Sequence, residues 1–277
     1  MKRFLLLIFP LLMPILQAQE LPKISTPSAK TPYVERQEKE FKFYPGGKLS
    51  ISISVPGSLK IIGWKKGIIR MEAEKIVYYA SNEDAKAVLQ NAPIRVRHNQ
   101  TSATIQTSGP PNPPAAMEIN LTVYVPGDKT DLAIQVDRGD FSIDTVNGWI
   151  EATIREGSLD AKSMSGYFSG STQRGDIYVE MSDIRWRGYE FAAMTQQGSI
   201  ELKLPVDYSA GLQLTTQDGK ITVDYPPREV EGEIIPPEIV VKKNAQSLTA
   251  AVGDGGAPIK LATASGNITL SKREETE

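Results

Sequence analysis

Carboxylate side chains at strand-like positions are the first candidates for chemistry in this 277-residue sequence. Asp140 and Asp176 hold the same place in two copies of a repeat, and further acids stand at polar positions nearby: Asp144, Glu151 and Asp160. Glycosidases use two carboxylates about 5 to 10 Å apart, a separation that neighbouring coils of a repeat protein can supply. However, no convergent set of acidic and basic residues accompanies these acids. The sequence therefore predicts a chain without catalytic residues, and a polysaccharide-active lyase or hydrolase is the alternative.

Metal and nucleophile chemistry lack the residues that they need. The chain has one histidine, His98, and no cysteine, so the usual ligands of a zinc site are missing. No nucleophile elbow and no phosphate-binding glycine loop is present. The net charge is −2, without the basic stripe of a nucleic-acid-binding protein. We therefore predict no metal, no other cofactor and no nucleic-acid partner.

Aromatic residues indicate a binding surface more directly than the carboxylates do. Trp149 and Tyr167 each follow a repeat glycine by one place and are separated by 18 residues. With two repeats per coil they would stack on one face, and Tyr178 and Trp186 are candidates for the same site. Flat rings in a row bind sugar faces or another protein. The other interpretation is that these rings shield corner backbone or pack against a long excursion of the chain.

A glycine repeat organises these positions. Glycines recur every nine residues from 139 to 175, and apolar or small residues follow two and four places later. The same cassette returns three more times, so that eight turn glycines are expected: Gly139, Gly148, Gly157, Gly166, Gly175, Gly198, Gly219 and Gly266. Glycine is typical of corners where the backbone takes a positive φ. The Arg-Gly-Asp tripeptides 138–140 and 174–176 resemble a receptor-binding motif, but this repeat already requires their glycines.

A unit this short cannot bury its own apolar face and must stack on copies of itself. The repeat therefore predicts an all-β fold, a right-handed parallel β-solenoid, with strands about 4.8 Å apart from coil to coil. An antiparallel β-sandwich is the alternative. One short helix is expected near residues 82–91, where Ser81 and Asp84 have the spacing of a capping box.

The N-terminal residues indicate export. Lys2 and Arg3 precede the apolar run from Phe4 to Leu16, so residues 1–18 are expected to be a signal peptide cleaved after Ala18. An uncleaved anchor is the alternative, although the run is shorter than the roughly 20 residues of a bilayer span. No later segment is apolar for long enough to span a membrane.

The rest of the chain is expected to form a single domain. Residues 19–37 are rich in proline and polar residues and predict a flexible linker. The domain then covers 38–271, with an excursion at about 225–257 and a charged tail at 272–277. Because cysteine is absent, its stability must come from hydrogen-bond ladders and a buried core.

Several stretches resemble bacterial envelope domains of unknown function that carry an adhesin label. Together they cover most of the chain from about residue 40 onward: Leu59–Trp64, Val123–Gly127, Val146–Gly148, Met164–Gly166, Gly198–Pro205 and Gly255–Leu270. The resemblance implies an exported β-solenoid and supplies no catalytic residues.

The sequence thus predicts a non-enzymatic protein of the cell envelope, located in the periplasm or at the cell surface. We expect an adhesin-like binding or scaffold module that presents one face of its repeat to a glycan, to peptidoglycan or to an envelope protein.

Overall fold

The computed structural model describes residues 31–79, 81–110, 117–182, 185, 187–231, 233–236 and 238–273. The expected signal peptide, residues 19–30 of the expected linker and Trp186 lie outside this part of the chain. The described residues form strands throughout, with one helix at Asn82–Gln90. The expectation of an all-β chain with a short helix near 82–91 is confirmed.

The helix, α1, begins where its cap predicts. The Ser81 hydroxyl accepts a hydrogen bond from the Asp84 backbone N–H at 3.2 Å and donates one to the Asp84 carboxylate at 2.8 Å. This arrangement satisfies one of the free N–H groups of the first turn. Ala85 and Leu89 are buried against the strands and hold the helix in place.

Seven strands form the N-terminal part of the chain. They are β1 (Thr31–Lys42), β2 (Lys48–Ile53), β3 (Leu59–Trp64), β4 (Ile68–Tyr79), β5 (Ile94–His98), β6 (Ser102–Thr107) and β7 (Met117–Pro126). Residues 31–37 of the expected linker therefore belong to β1, which pairs antiparallel with β4 along its whole length. The sequence gives little signal for this part of β1, an edge strand, because residues 32–40 alternate between exposed and half-buried and are mostly polar.

Sixteen further strands follow. The central ones are β8 (Asp131–Arg138), β9 (Phe141–Asp144), β10 (Asn147–Glu156), β11 (Leu159–Lys162), β12 (Ser165–Arg174), β13 (Ile177–Glu180), β14 (Gly188–Gln197) and β15 (Ile200–Leu204). The C-terminal ones are β16 (Ala210–Asp218), β17 (Ile221–Asp224), β18 (Arg228–Val230), β19 (Glu233–Ile235), β20 (Ile239–Lys242), β21 (Ala245–Val252), β22 (Pro258–Ser265) and β23 (Ile268–Lys272).

Almost all of these strands lie in two large mixed sheets. Sheet I is ten-stranded, in the order β1-β4-β7-β3-β9-β11-β13-β15-β23-β17, and sheet II is eleven-stranded, in the order β20-β21-β16-β22-β14-β12-β10-β8-β2-β6-β5. From β8 to β15 the chain alternates between the sheets, and each strand from β10 onward pairs in parallel with the strand two places earlier. Between β8 and β13 the register offset is 18 residues, as in the pairs Trp149–Tyr167 and Leu159–Ile177.

Both ends of this alternation are completed by strands that are distant in sequence. Near the N-terminal end, β2 lies between β6 and β8, and β3 lies between β7 and β9. Near the C-terminal end, β22 lies between β14 and β16, and β23 lies between β15 and β17. The expected excursion at 225–257 does not leave the sheets entirely, because β21 pairs antiparallel with β16 and β20 pairs with β21.

The core fills the space between the two sheets with alternate residues of most strands. Phe168 and Phe191 stack inside it, with ring centroids 4.7 Å apart. Buried threonines lie where strands turn into corners, and their hydroxyls donate to glycine carbonyls there: Thr195 to Gly175 at 3.0 Å and Thr263 to Gly198 at 2.8 Å. These hydrogen bonds satisfy polar groups that would be costly to bury unpaired.

The corner glycines are required by close backbone approach as well as by conformation. Gly157 has φ of 140°, and a Cβ built on it would lie 2.0 Å from the carbonyl oxygen of Gly139. Gly148 does not have this positive φ, yet its Cβ would lie 2.0 Å from the Thr130 carbonyl oxygen. The expectation of a positive φ at every repeat glycine is therefore wrong for Gly148 and also for Gly219, where the approach of a neighbouring corner excludes a side chain.

The Gly157→Ala substitution should lower the free energy of unfolding by more than about 3 kcal/mol, because backbone must move to admit the methyl group. Gly46→Ala is the matched control, since Gly46 also has a positive φ of 86° but a Cβ there would meet nothing within 4 Å. The Gly46→Ala substitution should lower the free energy of unfolding by only about 1–2 kcal/mol, because alanine is strained in left-handed backbone. Urea unfolding of both variants measures the difference. Equal losses of unfolding free energy in the two variants would show that the positive φ alone, and not the backbone contact, requires glycine at position 157.

Candidate binding face

The outward faces of the two sheets differ in chemistry. The outer face of sheet I carries ion pairs, among them Lys162–Asp160 at 3.2 Å and Lys203–Glu201 at 3.3 Å. Sheet II carries Lys260–Glu190 and Arg155–Asp137 on its outer face. Two rows of mostly hydroxyl and amide side chains cross the outer face of sheet II. By register these are Thr104, Ser50, Ala133, Glu151, Ser169 and Ala192 in the first row and Gln106, Ser52, Gln135, Thr153, Ser171 and Met194 in the second.

A stacked aromatic pair lies beside these rows. Trp149 on β10 and Tyr167 on β12 are directly opposite in the parallel register, with ring centroids 4.0 Å apart and planes at 19°. The expectation that they stack on one face is therefore met by the geometry. Trp149 remains 48% exposed, and its indole N–H donates to the Glu151 carboxylate at 3.1 Å. The pair thus offers an open ring face next to the hydroxyl rows.

The backbone around Trp149 is held in place by a side chain from the neighbouring strand. The Asp131 carboxylate accepts a hydrogen bond from the Trp149 backbone N–H at 2.9 Å. Since Glu151 accepts from the indole of the same residue, one carboxylate holds the backbone of Trp149 and another holds its ring. The ring is therefore held before any ligand arrives, which lowers the entropy lost on binding.

A shallow trough follows the hydroxyl rows. One part, of about 300 Å³, is lined by Ser50, Thr104, Gln135, Glu151 and Thr153 among others. A second part, of about 350 Å³, shares Ser52, Gln135 and Thr153 with the first and extends to Asp137 and Arg155. Because the two parts share these residues, they form one depression that runs from Glu151, next to the aromatic pair, towards the ends of β8 and β10.

Tyr189 extends the aromatic surface and was not found from the sequence. It is 81% exposed and lies at a register irregularity between β12 and β14, where Gly166 pairs with Gly188 and Tyr167 pairs with Glu190. The offset between β12 and β14 is 22 residues before the irregularity and 23 after it, instead of 18, so the nine-residue repeat gives no signal for Tyr189.

Tyr178 does not join this site. It lies on β13 in sheet I, where its hydroxyl donates to Glu180 at 2.7 Å and the ammonium groups of Lys162 and Lys203 lie over its ring. Burial and the neighbouring carboxylates raise the pKa of Tyr178 far above its usual value. The expectation that Tyr178 lies near Trp149 is therefore wrong, and Trp186 lies outside the described residues.

The acids at the corners have structural partners. Asp140 accepts from the backbone N–H and the hydroxyl of Ser158, at 2.9 and 2.7 Å, and Asp176 accepts from the Ser199 N–H at 2.7 Å. Both Arg-Gly-Asp tripeptides are thus corners whose aspartate caps the next strand. Asp144 and Asp160 lie on sheet I, whereas Glu151 lies on sheet II, so the sequence candidates do not converge.

His98 lies at the end of β5, and its ring stacks on Phe41 with centroids 4.1 Å apart. Within the described residues, no group of three histidine, cysteine, aspartate or glutamate side chains has the geometry of a metal site. No helix in that part of the chain is long and apolar enough to cross a membrane.

A second cavity, of about 240 Å³, lies at the C-terminal end of the molecule. Its lining is mainly apolar and includes Leu212, Val223, Pro226, Ile235 and Leu248. Because Leu212 and Leu248 belong to the core, this cavity is an incompletely filled end of the interior. It offers none of the hydroxyl rows that mark sheet II.

Comparisons with known proteins give only distant likenesses. No family model and no curated protein matches the chain. Among solved structures, it is similar to a proposed cell adhesion protein of Clostridium sporogenes, at 12% identity and TM-score 0.43, covering 86% of this chain and 100% of the other. A proposed adhesin of Bacteroides fragilis matches at 10% identity and TM-score 0.27, covering 86% and 97%. Likenesses this distant carry no functional argument, so the function rests on the residues of this chain.

An ion-pair chain closes the far end of the trough and makes stability depend on pH. Arg155 donates to Asp137 with Nη2–Oδ2 at 3.1 Å and also contacts Glu156, which Arg174 pairs in turn. The hydrogen bond from Arg155, helped by its charge and opposed by burial, lowers the pKa of Asp137. A lowered carboxyl pKa stabilises the fold above the unfolded-state value of about 3.9 and loses this effect as the pH falls through the folded value.

The Asp137→Asn variant should therefore unfold at a urea midpoint slightly below that of the wild type at neutral pH. This gap should close as the pH falls through the lowered folded-state pKa of Asp137. The gap should be small, about 1 kcal/mol or less, because the pair is largely exposed and screened. Urea titrations at several pH values measure it. A difference in urea midpoint that stays constant as the pH falls would show that the Arg155–Asp137 ion pair does not contribute to stability.

Proposed function

We propose that this chain is a non-enzymatic, exported protein of the cell envelope that binds a glycan on the outer face of sheet II. The observation that carries the proposal is the stacked, exposed Trp149–Tyr167 pair beside rows of serine, threonine and glutamine. The C–H faces of sugar rings pack on aromatic rings, and their hydroxyls exchange hydrogen bonds with hydroxyl and amide side chains. Peptidoglycan glycan strands and surface polysaccharides both have this chemistry.

The fold we propose for the alternating strands is a right-handed parallel β-solenoid. Its support is the alternation of β8 to β15 between two sheets with an 18-residue offset between β8 and β13. In such a coil each row of the outer face repeats at about 4.8 Å, the spacing of paired strands. A glycan laid across the strands would then meet one side chain of each row from every coil.

Export is proposed from residues 1–18, whose charged start and apolar run are those of a signal peptide. A location in the periplasm or at the cell surface would give the binding face access to envelope glycans.

The alternative is a polysaccharide-active enzyme. One pair of carboxylates on the binding face is the candidate for its catalytic residues. Asp131 and Glu151 lie on adjacent strands of the binding face and flank Trp149. From strand geometry their Cα atoms are about 8 Å apart. Glycosidase pairs are defined by the separation of the carboxyl groups, about 5 to 10 Å. Both, however, already accept hydrogen bonds from Trp149, and the depression beside them is a shallow trough rather than a cleft.

The Trp149→Ala/Tyr167→Ala double variant should bind glycans at least about tenfold more weakly than the wild type, because two ring faces are lost. The matched control is Tyr178→Ala, which removes an aromatic ring from the opposite sheet and should leave binding unchanged. Pull-down with insoluble peptidoglycan and polysaccharides, followed by calorimetry on soluble fragments, measures the difference. Because Trp149 is half exposed, the melting temperature of the double variant should stay close to that of the wild type.

The same panel should be assayed for released sugar. Products that disappear in Asp131→Asn or Glu151→Gln would establish the enzyme alternative. If the wild type and Tyr178→Ala bind no glycan at all, the proposed function is wrong.

A further inference from the structure

One strand edge of sheet II is chemically unlike the other edge of that sheet and unlike the β1 edge of sheet I. β20 exposes apolar side chains, with Val240 44% and Val241 58% exposed, and the adjoining strand β19 exposes Ile234 at 65%. By contrast, β1 at the edge of sheet I is dense in charge, which discourages pairing. β5 at the other edge of sheet II presents Arg95 and Arg97. An apolar strand edge is a template for pairing with another strand.

The backbone of β20 has its free hydrogen-bonding groups at two residues. A two-residue turn, 243–244, joins β20 to β21, and Lys242 pairs with Ala245 and Val240 with Ser247. The residues that flank such a turn form a hydrogen-bonded pair, and hydrogen-bonded and non-hydrogen-bonded pairs then alternate. The N–H and C=O groups of Lys242 and Val240 therefore face β21, whereas those of Ile239 and Val241 face the open edge.

The sequence at this edge complements itself when two copies run antiparallel. A two-fold axis through Val240 sets Glu238 opposite Lys242 of the second copy, Ile239 opposite Val241, and Val240 opposite Val240. Opposite charges and β-branched residues are the pairs that stabilise directly facing positions. The hydrogen-bonding pattern agrees, because this register pairs Ile239 with Val241, the two residues whose backbone groups face outward.

Antiparallel pairing of β5 with a second copy of itself is unfavourable. A two-fold axis through Val96 sets Arg95 opposite Arg97 of the second copy, and like charges at facing positions repel. The two edges of sheet II thus differ in a way that favours self-pairing at one end only.

We propose that two copies of this chain form a closed dimer by antiparallel pairing of β20 with β20, in the register that sets Glu238 opposite Lys242. The pairing extends sheet II across a two-fold axis, a form of strand addition to an open edge. A two-fold contact uses the same surface on both subunits and closes at two copies. Pairing of β20 with β5 of another copy would instead be head-to-tail and would not close.

Charge reversal tests both the interface and its register. Glu238→Lys and Lys242→Glu should each weaken dimerisation at least about tenfold, because each sets like charges opposite one another twice in the dimer. The Glu238→Lys/Lys242→Glu double variant should recover most of the wild-type association, since the charges face each other again with exchanged signs. Lys65→Glu changes an exposed lysine in the turn between β3 and β4 and should leave association unchanged.

Sedimentation velocity on the purified full chain, across micromolar to millimolar concentrations, measures the association. Hydrogen exchange provides a second readout: the amides of Ile239 and Val241 should become protected as concentration rises in the wild type and should stay unprotected in Glu238→Lys. A monomer at every concentration would overturn the proposal. So would open-ended polymers, or a dimer that Glu238→Lys and Lys242→Glu leave intact.

Discussion

Close backbone approach at the corners between strands is the constraint on which the rest of the structure depends. The carbonyl oxygens of Gly139, Gly157 and Gly175 each lie where a Cβ on the next corner glycine would be. Asp140 and Asp176 cap the N–H groups beside these corners, and buried threonines donate to the carbonyls there. Corners stacked in this way hold the strands that follow them in register, whether the sequence offset is 18 residues, as between β11 and β13, or 23 residues, as between β13 and β15. The rows of side chains on the outer faces, including the aromatic pair, follow this register.

The two outer faces share this backbone but are suited to different neighbours. Charged groups such as Lys162, Asp160 and Glu201 on sheet I are strongly hydrated, and covering them with a ligand would cost their hydration. The hydroxyls and amides of sheet II lose much less on desolvation and can exchange hydrogen bonds with sugar hydroxyls. The open ring face of the aromatic pair also attracts the apolar C–H face of a sugar ring, which needs no charge on the ligand. A neutral polymer is therefore better matched to sheet II than to sheet I.

The sequence predicts the parts of this structure that depend on local spacing. Nine-residue glycine intervals imply the 18-residue offset, and this offset predicts the stacking of Trp149 on Tyr167. Tyr178 was misplaced because successive cassettes belong to alternate sheets: strands after Gly148 and Gly166 lie in sheet II, and the strand after Gly175 lies in sheet I. The insertion of β22 and β23 between earlier strands could not be predicted. A repeat pattern shows that units stack but does not show which unit lies next to which.

These insertions also connect the end of the chain with its proposed partner. β20 is held by β21, β21 by β16, and β16 by β22, a strand that comes later in the sequence. β22 therefore connects the apolar edge to the central strands of sheet II, although it follows that edge in the sequence. Pairing across the two-fold axis uses this edge. In that dimer the eleven-stranded sheets join, and two Trp149–Tyr167 pairs lie on the two halves of one extended sheet. Linked sites on one polymer bind with greater avidity than either alone, provided that the ligand spans both. A long glycan meets this condition, whereas a short fragment does not.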